Sequence, residues 1–128
     1  MNHTTNYSLN QWEAGDRITR ADFNADNAKI DAAIAGKCEV VFGSYAGDDT
    51  FPRVIELGFR PKAAILMTRD GTARATYVYG GIFGDGYPLR TVSGICAQIG
   101  DTGFTLPSAA GGNNTNVSGT IYYYIALK

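Results

Sequence analysis

Ile121-Tyr122-Tyr123-Tyr124-Ile125-Ala126-Leu127, near the end of the chain, decides the fold class. In a strand, Ile121, Tyr123, Ile125 and Leu127 fall on one face, and Tyr122, Tyr124 and Ala126 on the other. Neither face is polar. Such a strand is central in a packed β structure, or its outer face is covered by a partner. Taken as the outer pair, Tyr122 and Tyr124 are amphipathic and suit a subunit interface. Ala63-Ala64-Ile65-Leu66-Met67 is likewise apolar throughout. Surplus apolar surface in so small a chain points to oligomerisation.

Strand-like runs precede this one at 39–45, 53–57, 62–68, 76–83, 90–99 and 104–106, and the last run extends over about 118–127. Each is separated from the next by Gly, Asp or Pro. About seven strands at near-regular spacing predict an antiparallel β-sandwich. No helical stretch separates them, which excludes a parallel α/β sheet.

Composition divides the chain near Gly36. Residues 1–37 hold two of the sixteen glycines and no proline, whereas 38–128 hold all four prolines and twelve of the fifteen aromatics. An N-terminal helical segment (1–37) therefore precedes a β domain (38–128). Thr19 suits a helix N-cap, with Asp22 three residues on able to return a bond to the cap backbone. Ile18 and Phe23 fit a hydrophobic staple. Gly36 supplies a left-handed stop. The helix is predicted at about 20–35. Phe23, Asn27, Ile30 and Ile34 form one narrow stripe along it. The stripe packs on the β domain, or forms a short self-associating coiled coil in which Asn27 fixes register. Two heptads are too few to hold alone. Upstream, Tyr7, Leu9 and Trp12 either pack back on the protein or anchor it to another one.

The 128 residues carry 11 basic and 12 acidic side chains, a net charge of −1, with 45% hydrophobic and 18% charged residues. A core is affordable and disorder is not expected. The balance argues against nucleic-acid binding. No apolar run is long enough to insert in a membrane. The N-terminus lacks the order of a signal peptide, so the chain is expected to be made in the bacterial cytoplasm without export, with Cys38 and Cys96 as reduced, buried thiols. His3 is the sole histidine, so neither a metal site nor a histidine-assisted nucleophile is expected, and no cofactor is implied. Asp48, Asp49, Asp70, Asp85 and Asp101 lie in turns, where Asp bonds the local backbone. As paired carboxylates, Asp85 and Asp101 keep a cell-wall hydrolase as a minor alternative. Ligand binding falls to loops. Asp85, Tyr87 and Arg90 offer a ring beside a carboxylate and a guanidinium, a set suited to a sugar. Asn113, Asn114 and Asn116 offer short adaptable polar groups.

Asn6-Tyr7-Ser8-Leu9-Asn10-Gln11-Trp12-Glu13, followed by Asp22-Phe23-Asn24-Ala25-Asp26-Asn27-Ala28-Lys29-Ile30-Asp31, resembles the N-terminal signature of tail and baseplate-associated fibre proteins of phages and prophages of Gram-positive bacteria. Gly43-Ser44-Tyr45-Ala46-Gly47-Asp48, Ile55-Glu56-Leu57-Gly58-Phe59-Arg60-Pro61 and Tyr123-Tyr124-Ile125-Ala126 are similar to the small β domains that end such proteins. The resemblance implies a non-enzymatic virion-tail component, or one of a phage-tail-like particle, commonly a homotrimer. It would attach to other tail or baseplate proteins and face a host surface glycan or protein. A purely architectural tail protein is the alternative.

Overall fold

The computed structural model describes residues 1–112 and 114–128; Asn113 lies outside them. The protein is mainly β, with one α-helix and several antiparallel sheets. It divides into two compact units, Met1–Cys38 and Glu39–Lys128.

In the first unit, β1 (Asn2–His3) pairs antiparallel with β2 (Asn10–Gln11), and the helix α1 follows at Arg20–Ala35. Thr19 caps α1, its Oγ1 accepting from the Asp22 N–H. The Asp22 carboxylate accepts from the Thr19 hydroxyl at 2.5 Å, not from the cap's N–H. Asp is one methylene shorter than the Glu of a capping box. Ile18 and Phe23 are both exposed, so the expected staple does not shield them. Gly36 is right-handed (φ −80°), a correction to the expected left-handed stop. The helix instead ends by tightening, with Lys37 N–H donating to Ile34 O at 3.1 Å. No residue of α1 is buried.

The second unit holds two four-stranded sheets. One orders β4 (Arg53–Glu56), β11 (Gly103–Leu106), β10 (Gly94–Ile99) and β9 (Leu89–Thr91). The other orders β3 (Val40–Ala46), β12 (Ile121–Leu127), β5 (Ala63–Thr68) and β8 (Gly81–Gly84). A small ribbon pairs β6 (Arg74–Ala75) with β7 (Val78–Tyr79). The two strands that read as apolar on both faces, β12 and β5, are the central pair of their sheet.

Two expected strands are each divided. The run at 76–83 breaks because Tyr77 has φ 67° and Gly81 φ 146°, neither compatible with continuous extension. The backbone at Gly80 also lies so close to Leu66 that a Cβ would sit 2.3 Å from its carbonyl oxygen. The run at 90–99 turns back on itself as the β9–β10 hairpin, with Gly94 at φ 149°.

The core draws on both large sheets: Tyr45, Leu66, Phe83 and Tyr122 from one, Ile55, Ala97, Phe104 and Leu106 from the other. Tyr45 stacks on Tyr122 at 5.0 Å, and Phe83 meets Phe104 edge-on at 5.5 Å. Tyr122 is fully buried and Tyr124 packs edge-on against Phe104 at 5.3 Å. This reverses the expected sidedness of the last strand. Its Tyr122/Tyr124/Ala126 face is the core face, and Ile121, Tyr123, Ile125 and Leu127 face outward. Cys96 is buried as expected, but Cys38 is exposed, because it follows the helix rather than opening a core strand.

Candidate functional site

Each unit presents one candidate surface, and the β unit has a charged cluster and a buried polar network besides.

In the first unit, the Asp26 and Lys29 side chains on α1, with the Asp22 backbone carbonyl, hold the lead-in hairpin. The Asp26 carboxylate accepts from Asn10 N–H at 3.0 and 3.1 Å, Lys29 donates to the Ser8 carbonyl, and Asn10 Nδ2 donates to Asp22 O at 3.5 Å. Spacings of four and three place these on one helix stripe. The neighbouring stripe is the apolar one. Phe23, Ile30 and Ile34 are 58%, 42% and 63% exposed, and Asn27 is exposed too. Tyr7 stands beside Ile30, Ala33, Ile34 and Lys37 around a cavity of about 180 Å³. Leu9 and Trp12 are half-buried and Tyr7 is exposed.

In the β unit, Arg60 bridges two turns. Its guanidinium donates to Asp85 Oδ1 and Oδ2 at 2.7 and 3.2 Å and to Asp101 Oδ1 at 2.7 Å. The fork matches two carboxylates at once. Its hydrogen bonds hold the Asp85 carboxyl below the usual carboxylate range. The structure therefore does bring Asp85 and Asp101 together, but Asp85 is held ionised, whereas a glycosidic proton donor needs the opposite shift. Tyr87 closes the adjoining tight turn, its N–H and C=O both bonded to Gly84 at 2.9 Å, and its side chain is 79% exposed. Arg90 lies on β9, exposed. The guanidinium engaged with Asp85 is thus that of Arg60, and Arg90 of the predicted sugar-binding set is not bonded to it.

Asn114 and Asn116, expected as adaptable polar groups of a binding loop, are buried, and Asn113 lies outside the described residues. Asn114 is stitched to β7, its carbonyl accepting from Tyr79 N–H at 2.9 Å. Asn116 Nδ2 donates to Asp48 Oδ1 at 2.7 Å and to Thr50 O at 2.8 Å, and its Oδ1 accepts from Arg53 Nη1 at 2.7 Å. Bonds from Thr50, then from Asn116, with Arg53 nearby, bring the Asp48 carboxyl down to about 2. Beneath, Tyr45 Oη donates to Thr115 O at 2.6 Å and Thr115 Oγ1 to Cys96 O at 2.8 Å. Burial pushes the Tyr45 hydroxyl far above the usual phenol range and the Cys96 thiol upward. These groups are committed to holding the loop. Sequence reasoning missed them because a run of Asn and Thr reads the same whether solvated or buried.

The last candidate is the outer face of the β3-β12-β5-β8 sheet. Phe42, Ile65, Met67, Tyr123 and Ile125 line a cavity of about 570 Å³ there, with Ser44 and Arg69 at its rim. Among the described residues no group of three or more His, Cys, Asp or Glu is placed to hold a metal ion, and no helix is long and apolar enough to cross a membrane. Comparisons with protein-family models, with curated proteins and with solved structures found no match.

Proposed function

We propose that this chain is a structural protein of a phage tail or phage-tail-like particle, assembled as a homotrimer and without enzymatic activity. In this reading the lead-in segment with Tyr7, Leu9 and Trp12 attaches to other tail or baseplate proteins. The two four-stranded sheets form a β-sandwich that faces outward, and its loops meet a host surface glycan or protein.

The observation that carries the reading is the open stripe of α1. A sixteen-residue helix that buries none of its own residues is marginal in water. A narrow apolar seam interrupted by one Asn is the pattern that self-association covers. The N-terminal wording around it, Asn6–Glu13 and Asp22–Asp31, supports a tail protein independently.

The second reading is a purely architectural tail protein. It is favoured by the internal commitment of Asn114, Asn116 and Asp85, which leaves Tyr87 and Arg90 as the open groups of the predicted ligand set among the described residues. Two measurements on the full chain test these readings: its presence in purified tail particles, and adsorption of the labelled protein to host cells. Presence with saturable adsorption supports receptor binding. Presence without adsorption supports the architectural role. Absence from particles overturns both.

A further inference from the structure

We propose that the outer face of the β3-β12-β5-β8 sheet is an interface between copies of this chain. The inference rests on the assembled reading above and names a second surface, separate from the helix, that assembly covers.

Register fixes the composition of this face. Phe42, Ile125, Ile65 and Ile82 stand in one row across all four strands. Ser44, Tyr123 and Met67 form the next row, and Val40, Leu127 and Ala63 the row on the other side. No charged residue falls on these rows. Yet Phe42 is 74% exposed, Ile82 73%, and Val40, Tyr123 and Met67 are each more than a third exposed. These five side chains alone expose roughly 500 Å², taking about 200 Å² for a large side chain. That is near the top of the range for the largest apolar patch of a monomer, about 300–600 Å². Half-buried Ile65, Ile125 and Leu127 extend it toward the roughly 800 Å² that each partner gives a stable interface.

The chemistry selects the occupant. A glycan would find Ser44 and the Tyr123 hydroxyl as the side-chain hydrogen-bonding groups on these rows. A membrane surface would call for a rim rich in basic side chains, but among the described residues Arg69 is the one basic side chain lining the cavity, and the Lys128 ammonium at the end of β12 is paired with Glu39 at 3.4 Å. What fits is another charge-free apolar surface of the same size, and every copy of the chain supplies one. Copies joined through α1 would hold these faces at high effective concentration around a common axis, so even a modest affinity between them suffices. Among the described residues the edge strand β3 pairs with β12 alone, and it carries neither charge nor proline to discourage a neighbour.

Light scattering across a dilution series of the full chain tests this. Phe42→Asp with Ile82→Asp puts two charges into the covered face. The assembly should then dissociate at a concentration at least about ten-fold higher than wild type, with the far-UV circular dichroism unchanged. Dissociation at the wild-type concentration overturns the interface. A second measurement needs no variant: nitration by tetranitromethane, read by mass spectrometry on the assembled wild type. Tyr123 should be protected while Tyr87 reacts. Equal reaction of the two overturns the inference, as does a wild type that stays monomeric and binds an apolar dye. Cell adsorption is a separate readout. A double variant that keeps its dissociation point while wild type adsorbs to cells refutes this interface and leaves the tail reading standing.

Discussion

Gly43 and Tyr124 are direct register partners on β3 and β12, and the tyrosine ring occupies the space a side chain at Gly43 would need. A Cβ at Gly43 would lie 2.1 Å from the Tyr124 hydroxyl oxygen and 2.2 Å from Cζ. The ring cannot simply swing away, because its edge packs on Phe104 in the core. Gly43→Ala should therefore cost about 1–3 kcal/mol, the usual range for overpacking. Urea unfolding measures it. The cost should shrink when Tyr124→Leu is already present, since the clash is then gone. Additive losses would show that the ring is not what Gly43 accommodates.

Asn116 is the second internal position with a large expected effect. Asn116→Ala removes one acceptor from Arg53 and one donor from Thr50 O and Asp48 in a single step. Leaving the Thr50 carbonyl and a partly buried guanidinium without these partners should cost about 1–2 kcal/mol. The unfolding midpoint in urea should fall with its slope unchanged. A loss under about 0.5 kcal/mol, the level of an ordinary surface substitution, would mean that the loop is not held by this network.

The contrast between these two sites shows what was legible in the sequence. Strand and turn positions were readable, because alternation, Gly, Asp and Pro act locally. The Thr19 cap was readable for the same reason. Sidedness of the last strand was not. With apolar residues on both faces of β12, alternation cannot say which face meets the other sheet. Tyr122 faces inward because Tyr45 and Phe104 do, and those are distant in sequence. The divided strands failed on backbone angles, since Tyr77 at φ 67° has no composition signal. At the candidate site, Asp85 was readable as a loop carboxylate, but its partner Arg60 lies 25 residues away. The stripe 23/27/30/34 was legible as one exposed face of the helix. The neighbouring stripe that holds the hairpin was not, because Asp26 and Lys29 look like ordinary solvated charges.

Acid should act partly through Asp48. Its folded-state value of about 2 lies below its ordinary 3.8. The carboxylate thus contributes stability at pH above about 4, and that contribution is lost as the pH falls toward 2. Asp48→Asn should lower the melting temperature near neutral pH, and the gap from wild type should close between about pH 4 and 2. A gap that stays constant across this window would remove Asp48 from the acid response.

Tyr87 is the test of the loop as a contact surface. Its side chain is exposed and its backbone forms the turn, so Tyr87→Ala should leave the melting temperature within about 1–2 °C of wild type, as for most surface changes. If the loop meets a host glycan, loss of the ring should weaken adsorption to cells about ten-fold, the effect of losing one well-placed aromatic contact. Equal adsorption by both proteins would move the contact elsewhere on the β unit or favour the architectural reading.

Ile30 decides whether the helix assembles. It lies mid-stripe, between Asn27 and Ile34, on a helix with no buried residue. In an isolated chain, Ile30→Asp would change little, since the position is already open to water. In an assembly, the aspartate would be desolvated without a partner, a cost of several kcal/mol per buried charge. The two cases therefore separate cleanly in one measurement. Light scattering on the full chain should show the assembly of Ile30→Asp dissociating at far higher concentration than wild type. Asn27→Ile should give the opposite signature, stronger association with a less defined copy number, because a polar seam residue fixes register at the expense of stability. If neither variant changes the mass at any concentration, the stripe plays no part in self-association, and the exposed apolar residues of α1 belong to an interface with a different protein.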